Sequence, residues 1–87
     1  PVRRVDENTW RVDGGEGLHR VEELFGLNED SQASTVAGWT MERLGRIPQE
    51  GDSFTQDGLT VTVTKTDERR VLEVEVHRLA PEAAAGA

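Results

Sequence analysis

The sequence predicts an α+β fold in which two short helices pack on a small, mainly antiparallel sheet. Three observations lead to this fold class. In the first half of the chain, two short segments carry apolar residues every three or four positions, and a glycine follows each segment. From Gly51 onward, apolar and polar residues alternate instead. The pair Asp57-Gly58 divides this second region as a tight hairpin turn does. Helices and strands that are apolar on one face bury those faces against each other in two layers.

The chain starts with a polar and charged segment, residues 1–8, which we interpret as a linker into a domain that spans residues 9–79. Thr9 to Val12 alternates polar and apolar residues and is predicted to be a strand. A glycine-rich turn then leads into a helix from about Leu18 to Phe25. The predicted buried stripe of this helix consists of Leu18, Val21, Leu24 and Phe25.

Both predicted helices carry stop signals. Gly26 is the expected left-handed cap of the first helix, with Leu27 folding back onto Val21. The second helix is predicted from Thr35 to Leu44, with Thr35 or Ser34 as N-cap. Gly45 is its expected left-handed cap, and Pro48 prevents the helix from resuming. Gly38 is unfavourable inside a helix by about 1 kcal/mol relative to alanine, which indicates a close approach to another element.

The second half predicts three strands. Residues 52–56 form the first, and Gly51 precedes it as a turn residue. After the hairpin turn that ends at Gly58, the next two strands have one apolar face each. The residues expected to face the core are Leu59, Val61, Val63, Leu72, Val74 and Val76. The tail, residues 80–87, is rich in alanine and glycine and is predicted to be disordered.

Composition excludes several classes of function. The chain has 87 residues, no cysteine and a net charge of −7. The absence of cysteine excludes disulfides and thiol chemistry. The negative charge argues against binding to nucleic acid or to an anionic lipid surface. No apolar run approaches the roughly 20 residues that span a bilayer. The chain begins at Pro1 rather than at a methionine, as expected for a piece of a longer protein.

Candidate chemical sites are weak. Gly14, Gly15 and Gly17 precede a helix, where backbone amides can bind phosphate, but the residues that complete a P-loop are absent, and a simple turn is favoured. His19, Glu22 and Glu23 share a helix face and are weak candidates for a metal site; a solvated face is the favoured interpretation. No nucleophile with an oriented base is recognisable, so we predict no catalytic residues, no enzyme activity and no cofactor.

The order of several motifs resembles the transporter-associated domain of the CorC/HlyC family. The resemblance covers Trp10 to Val76. Its pieces are Val12-Asp13-Gly14, then Val21 to Leu27, Thr35-Val36-Ala37-Gly38, Glu42 to Pro48 with Gly51-Asp52, and Asp57-Gly58-Leu59 with the valine-rich hairpin. In that family the domain follows a membrane domain and a pair of CBS modules, on the cytoplasmic side. The fold is also similar to an FAD-binding domain, but no residue here identifies a flavin site.

The resemblance implies a regulatory domain of a membrane-bound protein that transports magnesium, cobalt or other cations. Its implied partners are the CBS pair and the membrane domain of the same protein, with a homodimer as a possible assembly. Two alternatives stay open at this point: a domain that senses a nucleotide or a cation, and a pure dimerisation module.

Three residues are predicted to lie at an interface. Trp39 falls outside the apolar stripe of the second helix, which consists of Val36, Ala37, Met41 and Leu44, so we expect it to be partly accessible. Trp10 lies on the first predicted strand. His77 alternates with buried valines and is expected on the outer face of the last strand.

Overall fold

The structure, a computed structural model, describes residues 1–28 and 30–80. Its elements, in chain order, are β1 (Val2–Asp6), β2 (Thr9–Asp13), α1 (Leu18–Phe25), α2 (Val36–Leu44), β3 (Ser53–Gln56), β4 (Leu59–Thr66) and β5 (Val71–Arg78). The strands form one antiparallel sheet in the order β1-β2-β5-β4-β3, and both helices pack on it. This architecture confirms the predicted α+β class. The predicted disordered tail lies outside the described residues, apart from Ala80.

The core lies between the helices and one face of the sheet. Cross-strand pairs place apolar side chains in rows on this face, such as Val12 and Val63 on either side of Val74. The fully or nearly fully buried apolar residues are Val12, Leu18, Val21, Phe25, Leu27, Val36, Trp39, Leu59, Val61, Val63, Val71, Val74 and Val76. Valine dominates because the strands supply most of this core and β-branched side chains suit a pleated surface.

The prediction that residues 1–8 form a linker is wrong for most of that segment, because residues 2–6 form the edge strand β1. Val2 lies opposite Val12, and the amide of Asp13 donates to the carbonyl oxygen of Pro1. A bulge interrupts the pairing between Arg4 and Asp6. Both faces of most of this strand are exposed. An exposed edge strand has no need for apolar alternation, so its sequence looks like that of a linker.

Two residues expected in the core are instead exposed. Leu72 is 42% exposed and Val71 occupies the buried position, because the β4–β5 register shifts near Lys65. A shift of one residue moves a side chain to the opposite face of a sheet. Leu24 is also exposed, because the short helix α1 buries only the narrower stripe of Leu18, Val21 and Phe25.

The predicted helix signals are confirmed. Gly26 and Gly45 both adopt left-handed conformations, with φ of 70° and 71°. The amide of Leu27 donates to the carbonyl oxygen of Glu22, and the Leu27 side chain is buried. The hydroxyl of Thr35 accepts a hydrogen bond from the amide of Gly38 at 3.2 Å. Since residues with side chains rarely adopt positive φ, both caps favour glycine.

The predicted turns are also present. Gly51 has φ of 93° and precedes β3, while Pro48 is buried between α2 and that strand. Asp57 and Gly58 both have positive φ, of 51° and 80°, as a primed hairpin turn requires. Gly38 makes a close approach, but to the segment before its own helix: a Cβ at this position would lie 3.2 Å from the Cβ of Ala33. The sheet is not among its nearest neighbours.

Gly14 joins three elements at one point. Its amide donates to the carbonyl oxygen of Leu72 at the start of β5, and its own carbonyl oxygen accepts from the amide of Ala37 in the first turn of α2. A Cβ added to Gly14 would overlap the carbonyl oxygen of Val71. The loop after β2 therefore holds the start of α2 against the start of β5, and only glycine fits this contact.

Candidate functional site

The face of the sheet opposite the helices is open and polar. Its central residues are Thr9, Arg11, Thr60, Thr62, Thr64, Glu73, Glu75 and His77, which we call the open face. Antiparallel sheets commonly leave one face polar when only the other face is covered. Because the helices cover one side of the sheet, the open face is a continuous polar surface across three neighbouring strands.

Charges on the open face are arranged in pairs. The carboxylate of Glu73, only 9% exposed as a residue, accepts a hydrogen bond from the Thr64 hydroxyl at 2.8 Å. Arg11 lies between the two glutamates, with Nη1 3.7 Å from Glu73 Oε1 and Nε 3.5 Å from Glu75 Oε1. These contacts fix the side chains without bringing them together around a cavity. The arrangement suits contact with another surface, since its polar groups are already oriented.

His77 lies at one end of the open face and is exposed, in the position that the alternation predicts. Its Nδ1 atom lies 2.9 Å from the hydroxyl of Thr9, which is nearly buried. The amide of Asn8 and then the hydroxyl of Thr9 hold the pKa of Asp6 below its usual value. The end of the sheet therefore carries an ordered polar group of Asp6, Thr9 and His77. The assignment of His77 to an interface stays a prediction.

Trp39 is a core residue, and the prediction that it is accessible is wrong. Its side chain is 1% exposed and meets the ring of Phe54 edge-on, with ring centres 5.1 Å apart. The guanidinium of Arg43 lies 5.0 Å from the centre of the Phe54 ring and covers the pair from outside. The buried face of α2 is formed by Val36, Trp39 and Thr40, so it is rotated from the stripe that the sequence indicated. The side chain of Trp39 therefore belongs to the core and is not available to line an interface.

Trp10 is only half-buried and lies at the edge of the core. Its ring meets that of Phe25 edge-on at 5.0 Å, and the guanidinium carbons of Arg4 and Arg78 each lie 5.7 Å from its centre. We call these four residues the Trp10 cluster. Sequence reasoning singled out Trp10 but missed both arginines. A signal was present for Arg78, because it follows Val74 and Val76 in the inward-facing alternation of β5.

The metal candidates on α1 lie close together on the surface of the helix. Both ring nitrogens of His19 approach a carboxylate at 3.8 Å, Nδ1 that of Glu22 and Nε2 that of Glu23. The His19 side chain is largely exposed. Within residues 1–28 and 30–80, no group of three or more histidine, aspartate or glutamate side chains is placed to hold a metal ion. The geometry of these three residues is that of a solvated helix face.

The glycine-rich loop uses its amides within the fold. The amides of Gly14, Glu16 and Leu18 donate to the carbonyl oxygens of Leu72, Asp13 and Ser34. The carbonyl oxygens of the loop in turn accept from Val36 and Ala37, at the start of α2. These backbone groups are therefore engaged in joining the loop to α2 and β5, as the turn interpretation expects.

The loop between α2 and β3 is held by one carboxylate. Asp52 accepts hydrogen bonds from Arg46 Nη1 at 2.7 Å and from the Gln49 amide at 2.8 Å. The Arg46 guanidinium, followed by the Gln49 amide, lowers the pKa of Asp52. The motif from Gly45 to Asp52 thus sets the path of the chain from helix to strand.

In the part of the chain that the structure describes, none of the helices is both long and apolar enough to cross a membrane.

Comparison with known proteins gives consistent results. The family model of the CorC_HlyC transporter associated domain matches residues 3–80. The magnesium and cobalt efflux protein CorC of Escherichia coli K12 is 29% identical over 75 residues, which are 85% of this chain and 26% of that protein. The chain thus spans about a quarter of the length of this curated relative.

Solved structures show the same fold. The CorC-associated region of a putative Mg²⁺ and Co²⁺ transporter from Neisseria meningitidis superimposes with a TM-score of 0.84 at 26% identity, covering 90% of this chain and 98% of that one. A transporter associated domain from a Xylella fastidiosa hemolysin, solved in complex with Mg²⁺ and Mn²⁺, gives a TM-score of 0.78 at 28% identity, covering 91% and 96%.

Proposed function

The chain belongs to the CorC/HlyC family of transporter associated domains, and we propose that it is a non-catalytic regulatory domain of a membrane protein that transports magnesium or cobalt. In this proposal the domain acts at the cytoplasmic face of the membrane, through contacts with other domains of the same longer protein. The family is defined as transporter-associated and not as a class of enzymes. The transport context comes from the relatives that are magnesium and cobalt efflux proteins.

The open face is the observation that carries this proposal. It presents threonine hydroxyls together with the Arg11, Glu73 and Glu75 charges, all on one side of a rigid sheet. Paired charges and hydroxyls of this kind suit a polar, reversible contact between domains, which is the type of contact that a regulatory domain requires. The occupant that we favour is the CBS pair or the membrane domain implied by the family resemblance. A second copy of the chain is the competing occupant.

A bulky charged side chain in the middle of the open face tests the proposal. Thr62 is half-buried between Ser53 of β3 and Glu75 of β5, and Thr62→Arg places a long cation there while leaving the covered face unchanged. The matched control is Gln32→Arg, which adds the same charge at an exposed position in the segment between α1 and α2.

Both variants are made in the full-length protein that contains the chain, and cobalt tolerance and magnesium efflux are measured in cells. We expect Thr62→Arg to alter transport and Gln32→Arg to leave it unchanged. Cross-linking from a photoreactive residue at position 60, also on the open face, to the CBS pair or to the membrane domain should be lost when Thr62→Arg is added. Unchanged transport and unchanged cross-linking in both variants would contradict the proposal. Sedimentation of the wild-type chain separates contacts between copies from contacts between domains.

A second candidate function is direct binding of a divalent cation by this domain. The observation that favours it is the relative from Xylella fastidiosa, whose domain was solved in complex with Mg²⁺ and Mn²⁺. Isothermal calorimetry with MgCl₂, MnCl₂ and CoCl₂ tests this function. A saturable heat of binding would show that the cation binds. A decrease of this heat in the triple variant His19→Ala, Glu22→Gln, Glu23→Gln would assign the ion to α1. Absence of binding at millimolar cation would leave protein contacts as the basis of regulation.

A further inference from the structure

Two arginines flank one tryptophan at the end of the sheet where β1, β2 and β5 lie side by side. Arg4 lies opposite Trp10 in the β1–β2 register, and Arg78 ends β5. Each guanidinium carbon is 5.7 Å from the centre of the indole, and that of Arg78 is also 5.8 Å from the Phe25 ring. Stacking on aromatic rings orients a planar guanidinium while its edge stays open to a planar partner. In Arg4, Nε and Nη2 already donate to backbone carbonyl oxygens, so this side chain offers mainly its Nη1 end.

Among residues 1–28 and 30–80, neither guanidinium forms a salt bridge with a carboxylate, although the charge of Arg4 contributes to the lowered pKa of Asp6. Arg4 donates to the carbonyl oxygens of Asp6 and Glu7, at 3.1 and 2.8 Å. In the described part of the chain, the contacts of the Arg78 guanidinium are with aromatic rings. By contrast, Arg46 has a carboxylate oxygen at 2.7 Å. The Trp10 cluster thus places two guanidinium groups against one indole in a protein whose net charge is −7.

Apolar side chains adjoin the two arginines along the chain. Val5, next to Arg4, is 49% exposed, and Leu79, next to Arg78, is 41% exposed. Val5 lies at the bulge in β1, and the amide of Leu79 donates to the carbonyl oxygen of Gly58, which holds the residue beside the β3–β4 turn. Both are neighbours of residues that face the helix side of the sheet, and successive residues of a strand point to opposite faces, so the surface of the cluster itself consists of two guanidinium groups and a half-buried indole. Interface centres are enriched in arginine and aromatic residues of this kind.

We propose that the Trp10 cluster is a docking surface for an acidic peptide segment whose apolar residues contact the exposed part of the indole. A carboxylate of the segment pairs with Arg78 through two parallel hydrogen bonds, and a second carboxylate binds the Nη1 end of Arg4, because guanidinium and carboxylate groups match each other in shape and charge. Charge complementarity selects this occupant. A nucleic acid or an anionic membrane would extend over the acidic remainder of the surface, whereas a short segment stays within about one screening length of the two arginines. The proposal does not depend on the transport role.

The test uses the chain itself and a defined probe. The probe is an acetylated and amidated octapeptide of alternating glutamate and leucine, and its control has glutamine in place of glutamate. Binding is followed by NMR through the two indole N–H signals of Trp10 and Trp39. We expect saturable binding that shifts the Trp10 signal and not the Trp39 signal, and that fails with the glutamine peptide. Equal binding of both peptides, or none of either, would overturn the proposal.

Matched variants assign the effect to the arginines. Arg78→Gln should weaken binding about tenfold, as the loss of one charge-assisted hydrogen-bonded pair predicts. Arg69→Gln removes the same charge from the exposed β4–β5 turn and should leave binding unchanged. Arg78→Lys keeps the charge but not the fork of donors, and should give an intermediate affinity. Urea midpoints establish that each variant is folded under the conditions used.

Binding of a different kind of ligand to the Trp10 cluster would contradict the proposal. Inorganic phosphate that displaces the peptide at equal concentration would identify a general anion site. A DNA duplex, or a vesicle containing phosphatidylserine, that binds more tightly than the peptide would identify a polyanion surface. Self-association that Arg78→Gln abolishes and Arg69→Gln does not would show that a second copy occupies the cluster.

Discussion

Trp39 and Trp10 occupy similar aromatic clusters, yet one is core and the other lies at the surface. Each indole meets a phenylalanine edge-on at about 5 Å, and each pair carries arginine on its outer side. Trp39 is enclosed because α2 lies between it and solvent, and the single arginine there covers Phe54. Trp10 lies on β2 and contacts Phe25, the last residue of α1, and its two arginines flank the ring. Position in the fold, rather than residue type, separates the two clusters, because Trp39 is part of a helix that faces the core whereas Trp10 lies on a strand near the sheet edge.

Truncating each tryptophan gives the largest contrast. Trp39→Ala should reduce the free energy of unfolding by about 3–5 kcal/mol, because a fully buried aromatic side chain leaves a cavity. Trp10→Ala should reduce it by about 1–2 kcal/mol, because part of its surface is already in water and mainly the contact with Phe25 is lost. Urea unfolding of both variants measures the difference. Equal losses would show that Trp10 is as much a core residue as Trp39.

Gly14→Ala tests whether the position of α2 is what encloses Trp39. The added methyl group would overlap the Val71 carbonyl oxygen, and backbone atoms cannot yield as a flexible side chain does. We expect a loss of about 3 kcal/mol, at the upper end of the range for overpacking. Gly15→Ala is the matched control, since a Cβ at Gly15 has no neighbour within 4 Å. A urea midpoint for Gly14→Ala that equals that of the control would contradict the junction at Gly14.

Fluorescence quenching compares the accessibility of the two rings directly. Trp10→Phe leaves only the Trp39 emission, which acrylamide should quench weakly. Trp39→Phe leaves the Trp10 emission, which should be quenched more strongly, and iodide should be more effective than caesium because two guanidinium groups attract the anion. If caesium quenches Trp10 as well as iodide does, the cluster is not cationic in solution.

Acid should lower the stability of the folded protein through two carboxylates, Asp52 and Asp6, and by less than the substitutions described above. The pKa of Asp52, between α2 and β3, and that of Asp6, the last residue of β1, are both lowered in the folded protein. A lowered pKa contributes stability that is present above the unfolded value of 3.8 and is lost as the pH falls through the folded value. The urea midpoint should therefore decrease between about pH 5 and pH 2. Asp52→Asn should show a shallower decrease than wild type, and an unchanged slope would exclude this contribution.

Local signals in the sequence predicted the covered side of the molecule well. Both helices, their glycine caps at Gly26 and Gly45 and the hairpin turn at Asp57-Gly58 were predicted because each depends on a few neighbouring residues. The apolar alternation of β4 also predicted its buried face. The candidate surface was predicted less well: the interface roles of Trp10 and His77 stay predictions, Trp39 was placed wrongly, and Arg4 and Arg78 were missed.

The sequence by itself determined the number and order of the two helices and of the strands β2 to β5, since periodicity, capping and turn residues act over a few positions. Only the tertiary structure decided what lies far apart along the chain. It placed β1 at the sheet edge, where pairing with β2 requires no apolar pattern, and it shifted the β4–β5 register so that Val71 and not Leu72 is buried. It also brought Arg4 and Arg78, at opposite ends of the chain, to the same indole. Such contacts depend on strand order and register, which no local spacing encodes.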